Sequence, residues 1–552
     1  MEFSTLVRVY QKLEETSSRL EMVDIVSRFL RDIPNDHIPV ILLFLRGRVF
    51  PLWSGKELGV GGKIMIKAIS TISGVPEERV EDRIRERGDT GLVAEELLVN
   101  KTQTTLFTEK LTVMKVYENL NKLASITGKG TQEKKIGYIT ELLSSAEPIE
   151  ARYISRLILE EMRLGVGEGI VRDAVAQSFN VDPKLVERAY SLCSDLGYVA
   201  RIAKEKGNEG LKDIRIKPGR PIEVMLAQKA SSVEDALGKF ERSAVEIKYD
   251  GARIQIHKNG NEILLFTRRL ENVTKQFPEI VRCARENINS DSAVVEGELV
   301  AIVSKDDRRP RPFQDLSRRI KRKYGILEMT KKIPVEINLF DLVFYDGKSK
   351  IQERFEDRRI LLERVVNETK IFRLAKQLIT KKVRDADKFY RNALDMGHEG
   401  IMVKNLDAPY QPGSRVGYMY KVKPIMETLD LVIVGATWGE SRRAHWLASF
   451  LLAVLDKDTN EFLTIGRMGT GFTDEEFKEM TELLKGDISE QIGKDVKLKP
   501  RVVVEVAYEE IQKSPTYTSG YALRFPRLVR IRSDKGVMDV DTLDRVKELL
   551  KK

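Results

Sequence analysis

Residues 246–253, with the sequence E-I-K-Y-D-G-A-R, constrain the fold more than any other stretch of this chain. Apolar and polar residues alternate from 244 to 257, which predicts a pair of strands or one bent strand. Residues 258–261 (K-N-G-N) have the composition of a tight turn, so we expect a hairpin with a second strand over 262–269.

The period of two places Glu246, Lys248 and Asp250 on one face of the predicted strand. An ordinary sheet has no need for such a row of acid, base and acid. Gly251 lets the backbone bend or approach a ligand closely, because glycine has no Cβ. The K-x-D-G pattern alone is equally typical of a surface strand with paired charges. The other motifs of the chain must therefore distinguish a catalytic lysine from a surface one.

Five later stretches have the chemistry and the order of a covalent nucleotidyltransferase. They are residues 267–269, 295–300, 339–347, 398–405 and 418–423. In the strand predicted over 293–303, Glu296 and Glu298 fall on one face. We expect these two carboxylates, together with the lysine row, to form a site for a ribose hydroxyl and a hard metal ion.

With these motifs in view, the chain resembles the ATP-dependent DNA ligases of the archaeal and eukaryotic replicative type, from about residue 150 to the C-terminus. The resemblance implies an enzyme that seals nicks in duplex DNA through a lysyl-AMP intermediate and an adenylated 5′-phosphate. It also implies ATP and Mg²⁺, with Mn²⁺ as an alternative metal, and a role in DNA replication, repair and recombination.

The resemblance further assigns residues to roles. Lys248 is the nucleophile, and Glu298 and Glu399 are the metal ligands. The residues that would bind the nucleotide are Glu246 (adenine edge), Arg253 and Arg268 (ribose and nick phosphates), Glu298 (ribose), Phe340 (stacking on the base), Arg415, Lys421 and Lys423 (phosphate) and Arg527 (pyrophosphate, with Asp534 and Lys535). Arg269, next to Arg268, could take its place, and the sequence leaves both open.

The composition limits the alternatives. A chain of 552 residues is too long for one core and predicts three domains. The net charge of +10 suits an enzyme that binds a polyanion over part of its surface, and the resemblance implies that this polyanion is nicked duplex DNA. Two cysteines exclude a disulfide framework and a four-cysteine zinc module. Without a signal pattern or an apolar run of about 18 residues, we expect an intracellular, cytoplasmic monomer that does not contact membranes and lies near the nucleoid if archaeal.

The expected domains are a helical DNA-binding domain at 1–217, an α+β, ATP-grasp-like adenylation domain at 218–424, and a β-barrel OB-fold at 425–552. Residues 216–221 (I-K-P-G-R-P) have linker composition. In the first domain we predict a helix over 152–163, stopped by Gly165, Gly167 and Gly169. In the last, five short strands and one helix suit an OB-fold. Residues 423–430 are expected to form a hinge.

Two further segments suggest partners. Residues 308–323 form the densest basic stretch, and because prolines break it into a loop before a helix, we expect its arginines, Arg318 and Arg319 among them, to follow DNA phosphates. A solvated charged face is the alternative. Residues 101–107 (K-T-Q-T-T-L-F) are the candidate contact for a sliding clamp.

Two other functions share part of this pattern. An mRNA-capping guanylyltransferase has the K-x-D-G core and an OB domain, but it does not need a long helical N-terminal domain. A nick-binding protein without activity would not need the lysine and the carboxylates intact.

Overall fold

The computed structural model describes residues 1–100, 110–128, 130–304, 306–322, 324–424, 427–439, 443 and 445–551. The predicted clamp segment at 101–107 therefore lies outside the described residues. The chain divides into two units, Met1–Lys423 and Pro424–Lys552. This boundary falls at the start of the predicted hinge.

The first part of the larger unit is helical, as predicted. Its helices are α1 (Phe3–Glu14), α2 (Arg19–Arg31), α3 (Ile38–Leu45), α4 (Gly62–Ser73), α5 (Glu77–Arg87), α6 (Thr90–Leu97), α7 (Val113–Ser125), α8 (Thr131–Ser144), α9 (Pro148–Ile158), α10 (Glu168–Phe179), α11 (Pro183–Cys193) and α12 (Leu196–Lys212). Local signals set several starts. The side chain of Ser18, for example, caps α2 by accepting a hydrogen bond from the backbone N–H of Glu21.

The helix predicted over 152–163 is shorter than expected. α9 ends at Ile158, and Glu160 and Arg163 have φ angles of 57° and 56°. These left-handed residues interrupt the helix before the chain reaches Gly165. Arg163 therefore lies in the connection to α10 and not in the helix.

The rest of the larger unit alternates strands and helices. They are β1 (Gln228–Lys229), α13 (Val233–Leu237), β2 (Ser243–Lys248), β3 (Ala252–Asn259), β4 (Glu262–Thr267), α14 (Pro278–Asn287), β5 (Ser292–Ala301), α15 (Phe313–Ile320), α16 (Ile326–Lys332), β6 (Val335–Tyr345), β7 (Lys348–Ser349), α17 (Phe355–Val365), β8 (Phe372–Leu374), β9 (Gln377–Ile379), α18 (Val383–Asp395), β10 (Gly400–Asn405) and β11 (Met419–Val422).

These strands form two sheets. One has the order β1-β11-β10-β2-β9, and the other has the order β4-β3-β5-β6-β7 with β8 beside β6. The predicted strand pair is confirmed, but β2 and β3 belong to different sheets. Asp250 lies in the turn between them and not in the strand row with Glu246 and Lys248.

The smaller unit is rich in strands. Its elements are β12 (Leu429–Trp438), β13 (Leu447–Asp456), β14 (Glu461–Met468), α19 (Asp474–Lys485), β15 (Ile488–Ile492), β16 (Asp495–Leu498), β17 (Val503–Ala507), β18 (Glu510–Lys513), β19 (Tyr521–Arg524), β20 (Arg527–Ile531) and α20 (Leu543–Lys551). The main sheet runs β14-β13-β12-β16-β15, and β17 joins β12 to β20. These pairings, among the residues that the structure describes, do not close the sheet, so an OB barrel stays a prediction.

Gly251 is required where the chain passes between the two sheets of the larger unit. A Cβ at this position would lie 2.3 Å from the carbonyl oxygen of Leu299. Leu299 lies in β5, and Ala252 pairs with it in register. The turn therefore packs directly on the backbone of a central strand, which cannot move aside as a side chain could.

We expect Gly251→Ala to lower the free energy of unfolding by about 1–3 kcal/mol, the usual cost of forcing a group into packed space. The midpoint of urea unfolding measures this. Gly137→Ala is the control, because that glycine lies within α8 and a Cβ there meets nothing within 4 Å. It should stabilise the protein by about 0.5–1 kcal/mol. A Gly251→Ala variant as stable as the unmodified protein would contradict this account.

Candidate active site

The lysine row lies on one face of the five-stranded sheet. Glu246 pairs in register with Met402, and Met402 pairs with Lys421 on the next strand. Directly paired residues point to the same face of a sheet, so these three side chains lie side by side. Lys248 is one step further along this face, opposite Gly400. Gly400 has a φ of +141°, and a Cβ there would lie 2.2 Å from the carbonyl oxygen of Val422.

Glu399 holds two of the predicted lysines together. Its carboxylate forms an ion pair with Lys248 and a second one with Lys423, whose Nζ is 2.9 Å from Oε2. The backbone N–H of Glu399 also donates to the carbonyl of Lys248, at 3.0 Å. Burial alone would raise the pKa of Glu399, but the two lysines outweigh it and lower the pKa to about 2. Glu399 is therefore an anion that fixes both cations at one place.

Glu298 is the second carboxylate near Lys248. It lies on β5, paired in register with Arg253 on β3. Burial raises the pKa of Glu298 to about 7. The charges of Lys248 and Arg253 oppose this shift, whereas those of Glu399 and Asp250 add to it.

The two carboxylates could hold a divalent metal ion. Mg²⁺ in nucleotide enzymes takes one or two carboxylates and completes its shell with water and substrate phosphates. Glu298 and Glu399 supply two such hard oxygen donors, both electrostatically coupled to Lys248. Among the described residues, no group of three or more His, Cys, Asp or Glu side chains could hold a metal ion alone. A metal ion bound here would need phosphate oxygens of the nucleotide as further ligands.

Glu296 does not share this role, contrary to our expectation from its strand period. Its side chain is fully buried and faces Arg253, whose Nη2 lies 2.5 Å from Oε2. Gln255 and Tyr410 donate to the other oxygen, at 3.2 and 3.0 Å. With both oxygens engaged, Glu296 is a partner of Arg253 and not a ligand of a ribose or a metal ion.

Phe340 stands at a β-bulge that turns it towards the same cleft. Glu296 pairs with Asp341 and Gly297 with Leu339, so Phe340 has no partner opposite it. Its ring packs under two cations, with Lys404 Nζ 4.5 Å and the Arg253 guanidinium 5.3 Å from the centroid.

Glu246 is held beside this ring. Lys404 Nζ lies 2.6 Å from one of its oxygens, and Gln377 donates to the other at 2.9 Å. The structure therefore brings together seven predicted site residues, which are Glu246, Lys248, Arg253, Glu298, Phe340, Glu399 and Lys423, and Lys421 lies on the same sheet face as Glu246.

The other predicted residues of the larger unit are exposed. Arg268 and Arg269 are exposed just beyond β4, which ends at Thr267, and Arg415 is exposed in a loop where its carbonyl accepts from Gln228 at 3.5 Å. The structure does not choose between Arg268 and Arg269.

Arg527 is exposed on β20 of the smaller unit. Its two predicted helpers are engaged within that unit. Asp534 is bound by Arg532 at 2.8 Å, and Lys535 by Asp430 at 2.7 Å.

Known proteins match the sequence of this chain along its whole length. The models for the DNA ligase N terminus, the ATP dependent DNA ligase domain and the ATP dependent DNA ligase C terminal region match residues 2–176, 224–423 and 443–535. The DNA ligase of Thermococcus fumicolans is 48% identical over 550 residues, covering 100% of this chain and 98% of the relative. That of Archaeoglobus fulgidus is 47% identical over 552 residues, covering 100% and 99%.

The chain belongs to the ATP-dependent DNA ligase family. ATP-dependent sealing of DNA nicks is the activity that this membership supports, and replication and repair roles are typical of the family. The solved structure named Pmar-Lig_PreS3 has a similar fold, with a TM-score of 0.56 at 18% identity, covering 96% of this chain and 99% of that one. No described helix of this ligase is long and apolar enough to cross a membrane.

Several residues of the ligase cleft were not singled out from the sequence. Met402 and Lys404 follow Gly400 at steps of two in β10, so the strand period could have placed them beside Glu246. Gln377 lies on the short edge strand β9 and Tyr410 in a loop. Neither belongs to a recognisable pattern, and only the fold brings them to the cleft.

The basic stretch at 308–323 is mostly neutralised. Arg308 pairs with Glu336 at 2.6 Å, and Arg311 pairs with Asp315 at 2.8 Å. Arg319 is fully buried and pairs with Glu279 at 2.5 Å. The prediction that Arg319 follows DNA phosphates is therefore wrong. The exposed cations of this stretch in the described structure include Arg318, Lys321 and Arg322.

We expect Arg319→Ala to destabilise the ligase by about 3 kcal/mol, because it leaves the buried carboxylate of Glu279 without its partner. The neighbouring Arg318→Ala is the matched control, since that side chain is 76% exposed. It should change the free energy of unfolding by less than about 0.5 kcal/mol. Urea unfolding of both variants decides, and equal losses of stability would contradict the assignment of Arg319 as a structural residue.

Proposed function

We propose that this ligase works through Lys248 in three phosphoryl transfers. The observation that carries the proposal is the cluster of Lys248, Lys423 and Glu399 in a cleft that also contains Arg253 and Phe340. A nucleophile, further cations and an aromatic ring are the parts needed to bind a nucleotide and to attack its α-phosphate.

In the first transfer, Nζ of Lys248 attacks the α-phosphorus of ATP. A phosphorus–nitrogen bond forms, the bond to the β-phosphate oxygen breaks, and pyrophosphate leaves. An ordinary lysine is protonated at neutral pH and must lose a proton before it attacks. Glu399 orients the amine, and Lys423 stabilises the charge that develops on the phosphate.

The later transfers use the same cleft. The 5′-phosphate of a nick attacks the lysyl-AMP and takes the AMP. The 3′-hydroxyl then attacks that phosphate, which closes the nick and releases AMP. Throughout, we propose that Phe340 stacks on adenine, that Glu246 binds its edge, and that Arg253 and Glu298 bind the ribose. Arg268, Arg415 and Lys421 would contact phosphates, and Arg527 the pyrophosphate.

Mg²⁺, with Mn²⁺ as the alternative, would be held by Glu298 and Glu399. When bound, the metal ion would neutralise part of the negative charge of the phosphates. The arrangement of two carboxylates beside the lysine cluster supports this assignment.

The finer organisation is also proposed. We infer a helical DNA-binding domain at 1–217, an adenylation domain at 218–424 and an OB-fold domain at 425–552. The linker composition at 216–221 and the strand-rich smaller unit support this division. We further propose a monomer that acts on nicked duplex DNA inside the cell, with a sliding clamp as a candidate partner through residues 101–107.

We expect Lys248→Ala to abolish the covalent protein-AMP adduct formed with α-labelled ATP, because no other lysine of the chain stands in a K-x-D-G motif. Binding to nicked DNA should persist. Lys239→Ala, at an exposed lysine paired with Asp235, should label like the unmodified protein. Label on the Lys248→Ala protein would refute the assignment and revive the search for another nucleophile, whereas an unmodified protein without label would favour a non-catalytic nick-binding role.

We expect replacement of Arg318, Lys321 and Arg322 by alanine to flatten the salt dependence of nick binding. The slope of log K against log salt changes by about 0.9 for each phosphate that the protein no longer neutralises. Arg309→Ala is the control, since that exposed arginine pairs with Asp307 at 2.6 Å. If the triple variant kept the original slope, these three residues would form only a solvated face.

A further inference from the structure

A buried polar cluster lies behind Arg253. Tyr410 is central to it, because its hydroxyl donates to Glu296 at 3.0 Å and accepts from Nη2 of Arg253 at 3.3 Å. Gln255 donates to the same oxygen of Glu296 at 3.2 Å. Burial raises the pKa of Tyr410 well above its ordinary value, so the hydroxyl keeps the proton that it donates.

The same cluster binds the peptide that leads into the catalytic sheets. Gln255 accepts from the backbone N–H of Ile222 at 3.1 Å and donates to its carbonyl at 2.7 Å. The hydroxyl of Tyr410 also accepts from the N–H of Met225 at 3.1 Å, and the carbonyl of Met225 accepts from Nη1 of Arg253 at 2.8 Å. Arg253 is therefore held by a side chain network and by this peptide together.

The peptide is also fastened to the helical part of the unit. The backbone N–H of Glu223 donates to the carbonyl of Ser191 in α11 at 2.9 Å, and the hydroxyl of Ser191 donates to the carboxylate of Glu223 at 2.7 Å. Residues 222–225 thus join α11 on one side to the support of Arg253 on the other.

The Nε–H of Arg253 remains available. Its Nε is buried and has no hydrogen-bond partner among the described residues, while both terminal nitrogens are occupied. A buried N–H without an acceptor is costly, so an acceptor from a bound nucleotide would be favoured there. The orientation of this one group depends on the partners of the other two nitrogens.

We propose that Tyr410 and Glu296 are positioning residues for nucleotide binding, and that residues 222–225 couple the seating of α11 to the orientation of Arg253. This inference rests on the proposed function, in which Arg253 contacts the nucleotide. A guanidinium in a buried site keeps one orientation only if its charge is matched and its donors are satisfied. Tyr410 contributes to both conditions, since it binds Arg253, Glu296 and the peptide with one oxygen.

The test is Tyr410→Phe, which removes that oxygen alone. We expect the KM for ATP in self-adenylation to rise about tenfold, the loss expected for a hydrogen bond to a charged group, with the rate at saturating ATP within about twofold. A merely structural role would instead lower the melting temperature and the active fraction and leave KM unchanged. Tyr508→Phe is the control, because that buried hydroxyl has no partner in the described structure; it should leave KM unchanged.

Two further variants test the coupling and remain informative if Tyr410→Phe fails to fold. Gln255→Met keeps the side chain length but frees Ile222. Ser191→Ala removes the side chain hydrogen bond between α11 and Glu223 and leaves the backbone one in place. Both should raise the KM for ATP, the second by about twofold. If the unmodified protein adenylates normally and the folded variants have an unchanged KM for ATP, this inference is overturned and the proposed function stands. Absence of adenylation in the unmodified protein would overturn the proposed function and this inference together.

Discussion

The passage of one short segment between two sheets is the constraint on which the cleft depends. β2 ends at Lys248 and β3 begins at Ala252, so only three residues connect the five-stranded sheet to the six-stranded one. A connection of this length spans only about 10 Å. Lys248 and Arg253 are therefore close in space, and both act on the carboxylate of Glu298. Gly251 makes the close approach to β5 possible, and the remaining groups are placed relative to these two residues.

Inside the cleft, each of three cations has a carboxylate partner before any nucleotide arrives. Lys248 has Glu399, Arg253 has Glu296, and Lys404 has Glu246. Buried ion pairs of this kind contribute little net stability, because desolvation offsets most of the attraction, but a wrong orientation of either partner is costly. Their effect is to hold the charges in fixed positions. A nucleotide then meets groups that need little rearrangement, which is the condition for electrostatic stabilisation of a transition state.

The sequence predicted the parts of this ligase that depend on local periodicity. The strands, the side-by-side placement of Glu246 and Lys248, and the helical N-terminal part all follow from spacing. The burial and the partners of charged side chains were harder to predict, because they depend on residues that are distant in the sequence. Arg319 is buried against Glu279 in another helix, and Glu296 is occupied by Tyr410 from a loop far along the chain. The bulge at Phe340 and the early end of α9 also depend on packing and backbone angles that residue types do not reveal.

The attachment of residues 222–225 to the cleft has a practical consequence for dividing the chain. The ATP dependent DNA ligase domain model begins at residue 224, and a fragment cut there would lose Ile222. Gln255 would then lack both of its backbone partners, in a site closed to water. An isolated catalytic fragment that keeps the native pose of Arg253 should therefore start before residue 222, although those residues lie outside the sheets that carry the chemistry.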